Sequence, residues 1–349
     1  AYLNWSPVWS PDGRYLYYAS DRSGSMNLWR IRIDEDSGKV RGVPEPLTAP
    51  ASWTGPLTLS HDGRHILYAI LEQRSNLARV ALNPEGSAVA GPLEPVTEGS
   101  RSIRSGRVSP DGKWISFRTA SPQEDLFVIQ PDGTGLRQLT NDAFRDRGPS
   151  WLADGRIVFF SDRSGRYEIW AIRPDGSGLE QLTATKGDPI FSPLGAPDGR
   201  RLVCGIGFNR LGLVDLSLPL DRRGPRPLPS PDSGSFFANS WSPDGSQLAG
   251  VIRERNLALF SFATRRYEDL GVPGHDPVWT PDGRRLLFLR EGTVRALDPR
   301  TRQETEVFVP PPGSSFSAPD LSPDGRILYL VRETEEGDIG MATMQSPEP

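Results

Sequence analysis

Apolar residues along this chain come in short runs, too short for globular helices, and turn residues bound nearly every run. The stretch from Pro149 to Thr183 displays the pattern most clearly. Its runs are Ser150–Leu152, Arg156–Ser161, Tyr167–Arg173 and Leu179–Thr183. The third alternates, with Tyr167, Ile169 and Ala171 on one side and Glu168, Trp170 and Ile172 on the other. Between the runs stand Asp154-Gly155, Asp162-Arg-Ser-Gly165 and Pro174-Asp-Gly-Ser-Gly178. Gly and Asp tolerate the positive φ of tight hairpins, so the spacing predicts a four-stranded antiparallel meander. One such sheet has two apolar faces and is not stable alone.

The pattern recurs along the whole chain. Asp-Gly stands at Asp12, Asp62, Asp111, Asp154, Asp198, Asp244, Asp282 and Asp324, at intervals of 38 to 50 residues. Three residues before the Asp is an apolar anchor: Trp9, Leu59, Val108, Trp151, Trp241, Trp279 or Leu321. The fifth copy reads differently, with Phe191 as anchor and Leu194–Pro197 inserted before Asp198. Four strands in about 40–45 residues is the period of a propeller blade. The expectation is an all-β, eight-bladed β-propeller occupying residues 1–349 as a single domain, because a closed ring is one cooperative unit. The blades are expected near 7–48, 56–97, 106–140, 149–183, 189–228, 239–270, 277–309 and 319–344.

The last blade is incomplete: three strands can be read in it, and only the tail Gln345–Pro349 follows. In earlier repeats the outer strand precedes the next anchor by twelve residues, as from Leu47 to Leu59 and from Val96 to Val108. Counting back from Trp9 runs off the start of the sequence. The missing outer strand is therefore expected upstream of Ala1, with Ala1–Asn4 at most a part of it. The chain begins inside a repeat, like a mature protein or an excised domain.

Composition narrows the function classes. Gly and Pro number 36 and 34, which in a periodic chain with 36% apolar residues means many turns rather than disorder. Net charge is −4, so nothing electrostatic favours nucleic acid or an anionic membrane as partner. No apolar run reaches the length of a spanning helix, and no signal peptide opens the chain. Cys204 stands alone and reads as a buried core thiol.

Three motifs carry a resemblance. They are Trp-Ser-Pro-Asp-Gly, as at Trp9–Gly13 and Trp241–Gly245, Ser-Asp-Arg-Ser-Gly leading to a Trp, as at Ser20–Trp29, and Asp-Gly-Ser-Gly-x-x-Gln-Leu-Thr, as at Asp175–Thr183. Together they resemble the TolB-type, WD-repeat-like propeller family of bacteria. That family's repeats occur in the Tol-system periplasmic protein, in propellers of prolyl-oligopeptidase-like peptidases and polysaccharide lyases, and in sensor regions attached to bacterial Ser/Thr kinases or winged-helix regulators. The last group is the nearest in kind. The resemblance implies an extracytoplasmic (periplasmic or cell-surface) sensor or scaffold region of a larger signalling protein. The expected eight blades differ from the six of the Tol-system protein.

Catalytic chemistry is hard to find. Eight Asp-Gly aspartates at turn positions read as turn-holding side chains that bond backbone N–H groups. His61, His65 and His275 are too few and too scattered for a metal site, so no metal and no cofactor are expected. No Gly-x-Ser-x-Gly elbow exists. The expectation is a non-catalytic, monomeric binding module for a protein, a peptide or a small anion. The alternative is a lyase or hydrolase with carboxylates in the central channel.

The connections between blades vary where the hairpins repeat, so they are the candidate site. Arg101 and Arg104 enter the third blade, and Phe144, Arg145 and Arg147 enter the fourth. Four guanidinium groups at one mouth call for an anion, with Phe144 or Trp53 as an apolar wall. Asp142 and Asp146 are the expected local counter-charges.

Overall fold

The computed structural model describes residues 3–22, 26–48, 53–99, 102–120, 123–207, 209–232, 234–253 and 255–344, without the side chains of residues 53, 54, 71–73 and 336. The fold is all-β, built mostly of four-stranded antiparallel sheets. Among the described residues one 3-10 turn, Leu220–Arg222, is the sole helical element. The chain divides into two compact units, Ser75–Glu333 and a second formed by Ala1–Arg74 with Thr334–Pro349.

The larger unit is a closed ring. Its innermost strands are Ile103–Val108, Asp146–Trp151, Ile190–Gly195, Phe236–Trp241, His275–Trp279 and Ser314–Leu321. Each packs beside the next in that order, and the last returns to the first. Every one of them runs into an Asp-Gly turn and pairs antiparallel with the strand that follows. In the first five blades the four strands follow in chain order. The sixth is composite. Ser314–Leu321 and the start of Ile327–Thr343 are joined by the end of His65–Leu82, with Val89–Pro95 outside. The Leu82 N–H donates to the carbonyl of Arg326 at 2.8 Å within this sheet.

Apolar burial explains why the ring closes here. Val80 and Leu82 pack with Leu287, Leu289, Leu328 and Leu330 on one face of the composite sheet. Leu77 packs with Ile103, Ile115, Phe117, Tyr329 and Val331 on the other. Trp151, Trp241 and Trp279 are buried as expected of anchors. Two of them also stitch neighbouring blades: Trp151 Nε1 donates to the Arg107 carbonyl at 2.9 Å and Trp241 Nε1 to the Leu194 carbonyl at 3.1 Å.

The smaller unit holds the four-stranded sheet Asn4–Trp9, Tyr15–Ser20, Asn27–Ile33 and Val40–Pro46. Its second sheet pairs Trp53–Leu59 with the start of His65–Leu82. There Met344 N–H donates to the Arg64 carbonyl at 2.8 Å. Trp9 is 51% exposed and does not serve as a buried anchor.

All eight Asp-Gly hairpins form, each with its glycine at φ between +67° and +83°. They are grouped differently from the expectation of eight successive blades, since the ring of Ser75–Glu333 holds six. The second repeat, read as one blade over 56–97, is divided between the units within the continuous strand His65–Leu82. Its latter half provides the outer strands of the eighth repeat, which were expected upstream of Ala1. Asn4–Trp9 instead opens a sheet of its own. The fifth repeat has no insertion either. Gly195 occupies the anchor position, pairing with Leu202 as Trp241 pairs with Leu248. A Cβ at Gly195 would overlap the Trp151 carbonyl, so the anchor is replaced by close backbone approach.

Candidate ligand-binding site

Each inner strand enters the ring through a β-bulge. Ser105, Gly148, Ser192, Asp276 and Ala318 adopt positive φ at corresponding places, from 48° to 59°. The registers of the first five inner strands shift within the same few residues. A bulge bends its strand and re-aims the side chain beside it. Seven before each Asp of Asp-Gly stands Arg104, Arg147, Phe191, Phe237, His275 or Ser317 around the ring; each directly precedes its bulge except Phe237, where the shift comes one residue later, after Ala238. These six positions form the ring opposite the Asp-Gly turns, where the blade-to-blade connections arrive.

The cationic side of this mouth is built from three arginines and two glutamates. Arg104 Nη1 pairs with Glu333 Oε1, which also accepts from Ser317 Oγ at 3.2 Å. Arg147 clamps Glu124 through Nε and through Nη2, the latter at 2.9 Å, and lies over the Tyr167 ring at 5.7 Å. Arg118 reaches Glu124 Oε1 at 3.9 Å. Burial pulls the Arg118 guanidinium below its ordinary range; Glu124 opposes this, and the nearby charges of Arg147 and Arg104 add to it. Arg147 is shifted the other way, upward, by its hydrogen bond to Glu124.

Arg145 is exposed, and its side chain has no ion-pair partner among the described residues. Its N–H donates to Asp162 Oδ1 at 2.9 Å, which holds the connection in place. Phe144 is 40% exposed, with the Arg163 guanidinium 5.6 Å from its ring centre. Asp142 and Asp146 do not neutralise the mouth as expected. Both pair with Arg163, whose Nη2 lies 2.7 Å from each Asp146 carboxylate oxygen and whose Nη1 lies 3.2 Å from Asp142. Arg101 and the side chain of Trp53 fall outside the described residues.

The apolar side of the mouth is a cavity of about 370 Å³ beside the third and fourth inner strands. Phe191, Phe236, Phe237, Leu211 and Asn209 line it, and Phe237 is 47% exposed. His275 follows on the next blade. Its hydrogen bond to Asp276, at 3.3 Å, raises its pKa above the ordinary histidine value.

No protein-family model matches the chain. Over 147 residues it is 27% identical to the Tol-Pal system protein TolB of Anaeromyxobacter sp. (strain K), a match covering 42% of this chain and 21% of that protein. The chain thus spans about a fifth of the length of the curated relatives it matches. Its structure aligns with TolB from Acinetobacter baumannii at a TM-score of 0.51 and 15% identity, covering 91% of this chain and 79% of that one. The chain is a TolB-like β-propeller. A chain of the nidogen/laminin complex aligns at a TM-score of 0.54 and 14% identity, covering 78% of this chain and 100% of that one, a likeness of fold alone.

Within the TolB-like ring, the connections named Arg104, Arg145 and Arg147, but not what surrounds them. Arg118 and Glu333 lie on or beside second strands and Glu124 in a hairpin loop, none of them on a connection. Phe191 reads as an anchor until the inner strands are aligned on their Asp-Gly turns, which places it in the same ring as Arg104 and Arg147. That alignment was the available signal.

Proposed function

We propose that this TolB-like propeller is a non-catalytic binding module whose connection-side mouth receives an acidic segment of a protein or peptide. The observation that carries this reading is the imbalance of charge at the mouth. Among the described residues the ion-pair partners of Arg104, Arg118, Arg145 and Arg147 are Glu124 and Glu333, two acids for four arginines, beside an apolar cavity walled by Phe191 and Phe237. A carboxylate from a partner meets donors already held in planar, bidentate geometry. A neighbouring apolar residue of the partner fills the phenylalanine cavity, the usual combination at recognition sites. The resemblance to a Tol-Pal system protein supports an extracytoplasmic setting. In that setting the propeller serves as the sensor or scaffold part of a larger bacterial signalling protein.

The test is selection of short peptides from a displayed random library, followed by titration of an enriched peptide. Enriched sequences should pair an acidic residue with an aromatic or aliphatic one. Replacing Arg104 and Arg145 together by Ala should weaken the selected peptide at least about tenfold, or about 1.4 kcal/mol. The melting temperature should stay within a few degrees of the parent. Enrichment without acidic residues, or equal affinity for the double variant, would overturn the reading.

A further inference from the structure

A second site lies at the other end of the same channel. A cavity of about 400 Å³ opens on the Asp-Gly side of the ring, walled by Trp151, Trp241, Leu194, Pro110, Pro197 and Pro323. Arg107 stands at its inner end. It belongs to the inner strand Ile103–Val108, yet its Nη2 reaches the carbonyl of Asn239, three blades away and hence across the channel of a six-membered ring. That contact is long, 3.5 Å. No carboxylate pairs with Arg107 among the described residues.

The two acids that feel its charge are already committed. Asp320 accepts the N–H of Val108 at 2.8 Å and of Leu321 at 3.0 Å. Asp276 accepts Asn239 Nδ2 at 3.1 Å and meets His275 at 3.3 Å. A guanidinium carries five N–H donors, and this one spends a single donor on a weak bond. Leaving a half-buried guanidinium so poorly matched is costly unless something else accepts its hydrogen bonds.

We propose that this cavity binds a small carboxylate bearing an apolar or aromatic group, with Arg107 gripping the carboxylate. Two features of the cavity select that class. Its end offers a planar donor fork suited to a carboxylate. Much of its wall is indole, leucine and proline, which favours an apolar body of modest size; Asp320, which also lines it, has both oxygens taken by backbone N–H groups. Asn239 lines both this cavity and the one at the connection-side mouth; Arg107 and the two indoles belong to this one alone.

Trp151 and Trp241 line the cavity, so tryptophan fluorescence reports occupancy. The probes are N-acetylphenylalanine and its amide, which differ only in the charged group. The acid should shift the fluorescence saturably and bind at least about tenfold more tightly than the amide. Arg107→Gln should abolish that preference, Arg107→Lys should restore part of it, and the Arg104/Arg145 double variant should leave it intact. Equal binding of acid and amide, or unchanged binding to Arg107→Gln, would overturn the proposal. Inorganic phosphate binding as tightly as the acid would also overturn it, by removing the role of the apolar walls. Should Arg107→Gln fail to fold, the acid-against-amide comparison on the unaltered protein decides alone.

Discussion

The two ends of the ring are made of the same strands and teach opposite lessons. At the Asp-Gly end the chain says one thing repeatedly. In every one of the chain's eight Asp-Gly hairpins, six in the ring and two in the smaller unit, the Asp Oδ1 accepts the N–H two residues on, at 2.9 to 3.1 Å. In six of them a Ser or Thr hydroxyl two residues earlier donates to the same carboxylate. Where that hydroxyl is missing, at Leu152 and Ala196, the side chains of Arg156 and Arg201 take its place on Asp154 and Asp198. At the connection end the equivalent positions carry Arg104, Arg147, Phe191, Phe237, His275 and Ser317, and their surroundings range from ion pairs to an apolar cavity. Repetition at one end makes the fold, and variety at the other is left for recognition.

The largest effect should come from the anchors that tie these ends together. Trp151→Ala removes a buried indole and its bond to Arg107, and should cost about 3–5 kcal/mol in denaturant melts. Trp9→Ala, at a half-exposed anchor, should cost less than about 1 kcal/mol. Equal losses would mean the anchor position, rather than burial, sets the energy. Next comes Gly195→Val, where the new side chain meets the Trp151 carbonyl; a loss of about 1–3 kcal/mol is expected, as for overpacking.

The turns come third. Asp244→Ala loses the bonds from Ser242 and Ser246 on an exposed hairpin and should cost about 1 kcal/mol. Acid should act on all eight turns at once. Each aspartate is held below the ordinary value of 3.8; in Asp244 the hydrogen bond from Ser242 is the main cause, and in Asp154, Asp198 and Asp282 burial works against the lowering and is outweighed by such bonds. A folded pKa below the unfolded one gives stability that is present above about pH 4 and is lost as pH falls through the folded value. The melting temperature should therefore hold from neutral pH down to about 5 and then drop. The smallest effect is expected at Arg104→Ala, whose pair with Glu333 is partly exposed: less than about 1 kcal/mol of stability, against the tenfold loss in peptide affinity for the double variant.

Much of this was legible in the sequence because the informative residues are local. Asp-Gly preceded by an anchor fixes a turn and a strand direction within a few residues, and at Trp151, Trp241 and Trp279 a buried position as well. The bonding of those aspartates to backbone N–H groups followed the turn chemistry expected of them. The mouth was half legible. Arg104, Arg145 and Arg147 stand on connections, but Glu333 lies 229 positions from Arg104, and only ring closure brings them together. The grouping of the repeats was hidden for a similar reason. No glycine, proline or Asp-Gly breaks His65–Leu82, so nothing local marks Ser75 as the place where one unit ends and the other begins.

The composite blade also sets a timetable. Its strands lie about 240 residues apart in the chain, between Leu82 and Arg326, so it is the last blade of the ring that can form during synthesis. At roughly 5–20 residues per second, the apolar faces around Leu77, Val80 and Leu82 leave the ribosome on the order of ten to fifty seconds before their partners exist. Five blades can stack meanwhile, each from its own contiguous segment, with no ring to hold them. The cell must keep that early strand from pairing elsewhere until the final hairpin arrives.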